Sequence, residues 1–145
     1  MARLTEIRDA SKRPGFPEAL ENALLADLRG SARQGINSRI SLCVDAAQGQ
    51  LGAGLEATTS YGWLHVNMLW VAAGCRRAGQ GRALLEHAHA LARDRGCHAS
   101  WLDTSSAAAR VFYERCGYDV FASLKNDPGQ EPAEHTRWFL RCSLV

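Results

Sequence analysis

Apolar positions recur along the chain with two different periods, and the change of period marks its elements. Over residues 63–71 the period is two. Leu64, Val66, Met68 and Trp70 fall on one face and are all apolar, while Trp63, His65 and Asn67 fall on the other. Such a strand lays one face on a core and presents polar groups on the other. Over residues 79–95 the period is that of a helix. Leu84, Leu85, Ala88, Leu91 and Ala92 form one stripe, with Arg82, Glu86, His89 and Arg93 mostly away from it. Gly96 ends this helix as a C-cap.

The remaining elements follow from the same reading. Residues 4–8 have the character of a short edge strand. Pro17 opens a helix in which Leu20, Ala23, Leu24 and Leu28 recur at helical spacing up to Gly30. Residues 40–44 and 51–59 form a hairpin across a turn at 45–50. Residues 99–102 are a short strand. Asp103 or Thr104 then caps a helix over 105–116, which Gly117 stops. Val111 and Phe112 read as core positions of that helix. Strands at 118–124 and 136–143 close the chain, separated by a polar loop holding Pro128, Gly129 and Pro132. No internal repeat or low-complexity linker interrupts the order. It predicts an α/β arrangement of α+β type around one mixed sheet, in a single domain over residues 1–145.

Composition narrows the function classes. The net charge is +2 with no Lys/Arg run, so no nucleic-acid partner is expected. The N-terminus lacks an apolar signal segment and no apolar run is long enough for a bilayer, which predicts a cytoplasmic protein without a membrane partner. Five widely spaced cysteines, Cys43, Cys75, Cys97, Cys116 and Cys142, give neither a disulfide framework nor a metal site. They read as reduced, mostly buried thiols. His87 and His89 point in different directions on one helix, and Cys97-His98 lacks further ligands, so no metal is expected.

The chemistry concentrates where the 63–71 strand gives way to the 79–95 helix. Between them runs Arg76-Arg77-Ala78-Gly79-Gln80-Gly81. Glycines at a helix start leave backbone N–H groups unpaired and let an anion approach, and the helix dipole favours it. The segment is no P-loop, because Arg82-Ala83 follows Gly81 where Lys-Ser/Thr is needed. It is no dinucleotide fingerprint either, because Leu84 stands where the third glycine belongs.

In this context the segment resembles the coenzyme-binding signature of the GNAT superfamily of N-acetyltransferases, Arg/Gln-x-x-Gly-x-Gly/Ala, filled by Arg76, Gly79 and Gly81. A second segment, Ala109-x-x-x-Tyr113-x-x-x-Gly117-Tyr118, resembles the family's Ala-x-x-x-Tyr-x-x-x-Gly-Phe stretch. The resemblance covers roughly residues 50–143. It implies the GNAT fold: a mostly antiparallel sheet of about six to seven strands flanked by about four helices, splayed between the fourth and fifth strands. It implies acetyl-CoA as co-substrate, held by Leu69, Trp70 and Val71, the turn Arg76 to Gly81, Arg82, Ser106, Ala109 and Tyr113. Ser106 stands where the family often has Asn. Tyr113 is implied as general acid to the departing thiolate. His65, at the position that commonly carries the family's base, is the candidate general base, since a neutral imidazole accepts a proton near neutral pH. Glu56 and Asp103 are further base candidates, and no base is needed if the amine binds neutral. With Tyr61 and Trp63, Glu56 and Asp103 are also candidates for lining an acceptor pocket framed by residues 14–38 and 125–135, with Glu134 among its acids.

Three readings stay open. The first is transfer of acetyl to a small-molecule amine by direct attack in a ternary complex. The second is acetylation of a protein or peptide. The third is a non-catalytic acetyl-CoA sensor. Homodimers are common in the family, but no self-complementary patch is legible here.

Overall fold

The computed structural model describes residues 7–145. Of the strand expected at 4–8, residues 4–6 lie outside the described residues, and Ile7 and Arg8 belong to no strand. The chain divides into two compact units, one ending at Gln34 and one running from Gly35 to Val145.

The first unit carries α1 (Phe16–Ser31). Gly15 takes a left-handed conformation (φ 69°) just before it and Pro17 sits in its first turn, where a missing N–H costs nothing. None of its residues is buried; Leu20 and Leu24 stand exposed.

The second unit holds β1 (Ser38–Asp45), β2 (Leu51–Ser60), β3 (Trp63–Val71), α2 (Gln80–Asp94), β4 (Ala99–Thr104), α3 (Ala107–Arg115), β5 (Asp119–Lys125) and β6 (Thr136–Ser143). Its six strands form one sheet in the order β1-β2-β3-β4-β6-β5. Only β3 and β4 run parallel; all other neighbours are antiparallel. Tyr61 and Gly62, both at positive φ (53° and 77°), make the tight two-residue turn between β2 and β3.

α2 packs on β1, β2 and β3, and α3 packs on β4 and β5. Leu84, Leu85, Ala88 and Ala92 of α2 meet Ile40, Ala53, Leu55, Ala57, Leu64 and Val66 in the core, which continues through Leu102 and Leu140. Each fully buried leucine here contributes about 1.5–3 kcal/mol.

Two departures from the expected pattern matter. The first is in β3. Glu56 of β2 is opposite Met68, whereas the next residue, Ala57, is opposite Val66, so Asn67 is an extra residue in β3. Such a bulge moves every later side chain to the other face. Met68 and Trp70 therefore leave the apolar face of Leu64 and Val66 and stand 63% and 48% exposed, while Leu69 and Val71 pack against the core. Strict alternation cannot register the added residue.

The second is on the helices. Asp103 and Thr104 do not cap α3; both remain in β4, and Ser106 is the N-cap, its Oγ accepting from the Ala109 N–H at 3.1 Å. Val111 is exposed rather than core. His89, expected to face away, is buried because its Nε2 meets the Tyr118 hydroxyl at 2.8 Å, and that hydroxyl also meets Ser100 Oγ at 2.8 Å. A satisfied network of this kind removes the penalty of burying polar atoms. Of the five cysteines only Cys97 is buried; Cys43 is exposed and the other three are intermediate.

Candidate functional site

The site begins with a break in the sheet. β3 and β4 are paired only at Trp63 with Ala99, Leu64 with Ser100 and His65 with Trp101. Beyond His65, β3 runs on to Val71 and β4 to Thr104 without pairing to each other. This is the splay expected between the fourth and fifth strands, counted with a strand at 4–8; among the described strands it lies between the third and fourth. The edge of β3 from Val66 to Val71 thus offers backbone N–H and C=O groups that β4 does not use.

The open edge leads directly into the turn. Val71 is followed by a short 3-10 turn (Ala73–Cys75), then by Arg77 at φ 64° and Gly79 at φ 77°. Gly79 is the N-cap of α2 and no side chain caps the helix; the first helical bond runs from the Ala83 N–H to the Gly79 carbonyl. The N–H groups of Gln80, Gly81 and Arg82 are accordingly left without helical acceptors, at the positive end of the helix dipole. Arg76 and Arg82 flank the turn and brace it. Arg76 Nε donates to the Val71 carbonyl at 3.0 Å, and Arg82 Nη2 donates to the Arg115 carbonyl at 2.8 Å, linking α2 to α3. An uncapped helix start beside arginines suits the diphosphate of a coenzyme. Gly81 has a second reason to be glycine. A Cβ there would stand 3.1 Å from the Phe112 ring and 3.6 Å from a Val71 methyl, so the turn, the strand end and α3 close on one point.

Tyr113 faces inward from α3 and is 8% exposed. Burial first, then the nearby Cys116 and Asp103, pushes its pKa up to about 12. Among the described residues its hydroxyl has no hydrogen-bond partner, and it is not sealed from solvent. Tyr118 is the contrast: its hydroxyl is held by both His89 and Ser100. Of the two tyrosines, Tyr113 has an unengaged hydroxyl and Tyr118 is tied into the core. Burial also raises the Cys116 thiol, which is the opposite of an activated nucleophile.

His65 lies flat on Trp101, ring centroids 3.8 Å apart and planes 2° from parallel. Its Nδ1 is 3.1 Å from Asn67 Nδ2, and its Nε2 is 4.0 Å from Asp103 Oδ1. Burial lowers its pKa, and the Asp103 charge opposes that in part. Arg137 of β6 reaches the other Asp103 oxygen at 3.5 Å. The 126–135 loop ties in beside this cluster, with His135 Nε2 2.9 Å from Ser105 Oγ.

The structure thus gathers His65 and Asp103, with the Asp103 charge bearing on Tyr113. It does not gather the other candidate pocket residues with them. Glu56 pairs with Arg39 at 3.9 Å and borders an open cleft of about 370 Å³ with Ser41, Leu42, Leu51, Met68 and Trp70. Tyr61 sits in the β2–β3 turn, at the other end of β3 from Val71, and Trp63 packs edge-on against His98. Nothing local in the sequence marks Trp101 or Arg137 as neighbours of His65 and Asp103; pairing across strands brings them in. No group of three or more metal-ligating side chains occurs among the described residues, and no helix among them is long and apolar enough to cross a membrane.

A splayed mixed sheet with an uncapped, arginine-flanked helix start at the end of its open strand is the architecture that the resemblance to GNAT acetyltransferases implies. The family model described as "Acetyltransferase (GNAT) domain" matches residues 32–120, and the chain belongs to the GNAT acetyltransferase family. It is 43% identical to the blasticidin-S acetyltransferase of Streptomyces morookaense over 82 residues, 56% of this chain and 60% of that relative's length. It is 31% identical to an acetyltransferase of Agrobacterium fabrum over 121 residues, 83% of this chain and 85% of the relative. In three dimensions it resembles the crystal structure of an acetyltransferase from Bacillus cereus, with a TM-score of 0.75 at 24% identity, covering 96% of this chain and 97% of that one.

Proposed function

We propose that this chain transfers the acetyl group of acetyl-CoA to the primary amine of a small molecule, by direct attack with both substrates bound. The observation that carries the reading is that the unpaired edge of β3 runs directly into the uncapped turn at Gly79; the unbonded hydroxyl of Tyr113 on α3 adds a proton donor. Backbone N–H groups of Arg77 to Arg82 would hold the diphosphate, with Arg76 and Arg82 beside it. The free edge of Leu69 to Val71 would hold the pantetheine amides as a further strand would, and an N–H near Leu69 would polarise the thioester carbonyl.

The chemistry then needs a neutral amine and a protonated leaving group. Tyr113, protonated throughout the neutral range because its pKa is pushed up to about 12, supplies a proton to the departing sulfur. The His65–Asp103 cluster sits where the strands part and takes charge of the amine side. The named activity of the Streptomyces relative, an antibiotic acetyltransferase, supports a small polar amine as acceptor.

A coenzyme-release assay with acetyl-CoA tests the proposal across nucleoside antibiotics, aminoglycosides, polyamines, amino acids and short peptides. Release with a small amine is the expected result. Release with peptides alone would transfer the reading to protein acetylation. Binding of acetyl-CoA with no release for any acceptor would leave a sensor and sink the enzyme.

A further inference from the structure

The hydrogen-bond directions around His65 run one way, and they decide what that residue can do. Thr58 Oγ1 on β2 donates to Asn67 Oδ1 at 3.4 Å. That leaves the Asn67 amide nitrogen as the group facing His65 Nδ1, 3.1 Å away. In this amide orientation the Asn67 nitrogen donates and Nδ1 accepts. In a neutral imidazole the single proton then sits on Nε2, which faces Asp103 Oδ1 at 4.0 Å. Arg137 Nε points at the second Asp103 oxygen, 3.5 Å away. The His65 Nε2–H and the Arg137 guanidinium thus both face Asp103 at ion-pair distances, and the His65 lone pair is engaged by Asn67. Stacking on Trp101 holds the ring in this plane.

We propose that Asp103, rather than His65, receives the proton of the attacking amine, and that Asn67 and Thr58 fix His65 as a donor that positions the Asp103 carboxylate. The assignment rests on the acetyl-transfer reading above. Position supports it. Asp103 stands two residues beyond Trp101, the last residue of β4 paired to β3, and therefore at the mouth of the splay. Its charge is felt by the Tyr113 hydroxyl, so one carboxylate lies within electrostatic range of the acid across the gap. The ionisable groups around it are His65 from β3, Arg137 from β6 and Tyr113 from α3, with His135 of the loop held two residues on at Ser105. In the step itself the amine nitrogen bonds to the acetyl carbon and the carbon–sulfur bond breaks. The nitrogen's proton passes to Asp103, the sulfur takes one from Tyr113, and solvent then returns a proton to the tyrosinate and removes one from the Asp103 carboxyl. Asp103 is the catalytic residue; His65, Asn67 and Thr58 are positioning residues.

Two readouts test this. Imidazole nitrogen–proton NMR correlations on the 15N-labelled chain, with the His65 signal identified by its loss in His65→Gln, should show the Nε2–H tautomer. Asn67→Asp, which offers an acceptor in place of a donor, should switch it to Nδ1–H or to the doubly protonated ring. In steady-state kinetics Asp103→Asn should lower kcat by about 10²–10³-fold, a typical loss for a proton-transfer group, and abolish the acidic limb of the kcat–pH profile, with the KM for acetyl-CoA unchanged. His65→Gln keeps an N–H donor and should lower kcat by less than about tenfold with that limb retained. An Nδ1–H tautomer in an active wild-type enzyme overturns the proposal. So does an acidic limb that vanishes in His65→Gln but persists in Asp103→Asn. If the wild-type chain acetylates no amine at all, the acetyl-transfer reading falls and the proton route with it, a result distinct from either of those.

Discussion

The ring of Phe112 on α3 stands 3.1 Å from the point a Cβ on Gly81 would occupy. The glycine therefore serves packing as well as its proposed phosphate approach, and the turn is braced by the helix that carries Tyr113. Adding one methyl asks the ring to give by a few tenths of an ångström. Gly81→Ala should cost about 1 kcal/mol and weaken acetyl-CoA binding, as measured by thermal melting and calorimetry. Gly81→Ala with Phe112→Leu should recover part of both. If the double variant is simply additive, the contact does not couple turn to helix.

Tyr113→Phe removes the proposed acid and nothing that holds the fold, since the hydroxyl has no described partner. The rate should fall by about 10²–10⁴-fold, with acetyl-CoA affinity and melting temperature near wild type. An unchanged rate would refute the general-acid role. The pKa also sets a stability window. The folded value of about 12 lies above the model value of 10.0, so the unfolded chain loses this proton first. From this group, stability is flat below pH 10 and declines between pH 10 and about 12. In Tyr113→Phe that decline should be smaller.

Tyr118 is predicted to behave oppositely. Its hydroxyl satisfies His89 and Ser100 at once, so Tyr118→Phe should cost about 1–3 kcal/mol in chemical denaturation with little effect on kcat. His89 is held neutral, mainly by burial and next by Arg93, with its pKa lowered from 6.5. A depressed folded pKa means the unfolded chain binds the proton first as pH falls. The stability due to this group is complete above pH 6.5 and is lost progressively below it. Melting temperatures followed from pH 7.5 to 5 should show that loss, and His89→Gln should reduce it.

The bulge at Asn67 makes a prediction that the alternating pattern would reverse. Met68 is exposed and Leu69 packs on the core. Met68→Glu should shift stability by less than about 0.5 kcal/mol, whereas Leu69→Glu should cost about 1–3 kcal/mol by placing a charge against the core. Equal losses would contradict the shifted register.

Much of this was legible in the chain, and the reasons are local. The helix over residues 80–94 announces itself by period, because its apolar stripe lies on the core, and the strand over residues 63–71 is legible as a strand although its period holds only to Val66. The turn from Arg76 to Gly81 is legible because a helix start without a capping side chain is a property of a few consecutive residues. Where the reading failed, the missing information was never local. Asn67 bulges because β2 pairs with β3 in that register. His89 is buried because Tyr118, 29 residues away, offers it a hydroxyl. Ser106 rather than Asp103 caps α3 because β4 continues through Thr104 alongside β6.

The sequence by itself pointed to the family and singled out the turn from Arg76 to Gly81, since motif spacing, glycine geometry and helix dipole act over a few residues. It also singled out Tyr113 and His65 as side chains worth weighing. The tertiary structure alone decided which tyrosine is free and which is tied, and which groups surround His65. It also decided that Asp103 stands where β3 and β4 part. Those outcomes depend on burial and on hydrogen-bond partners from β2, β4, β6 and α3, and such partners are assembled only when strands distant in the chain come into register.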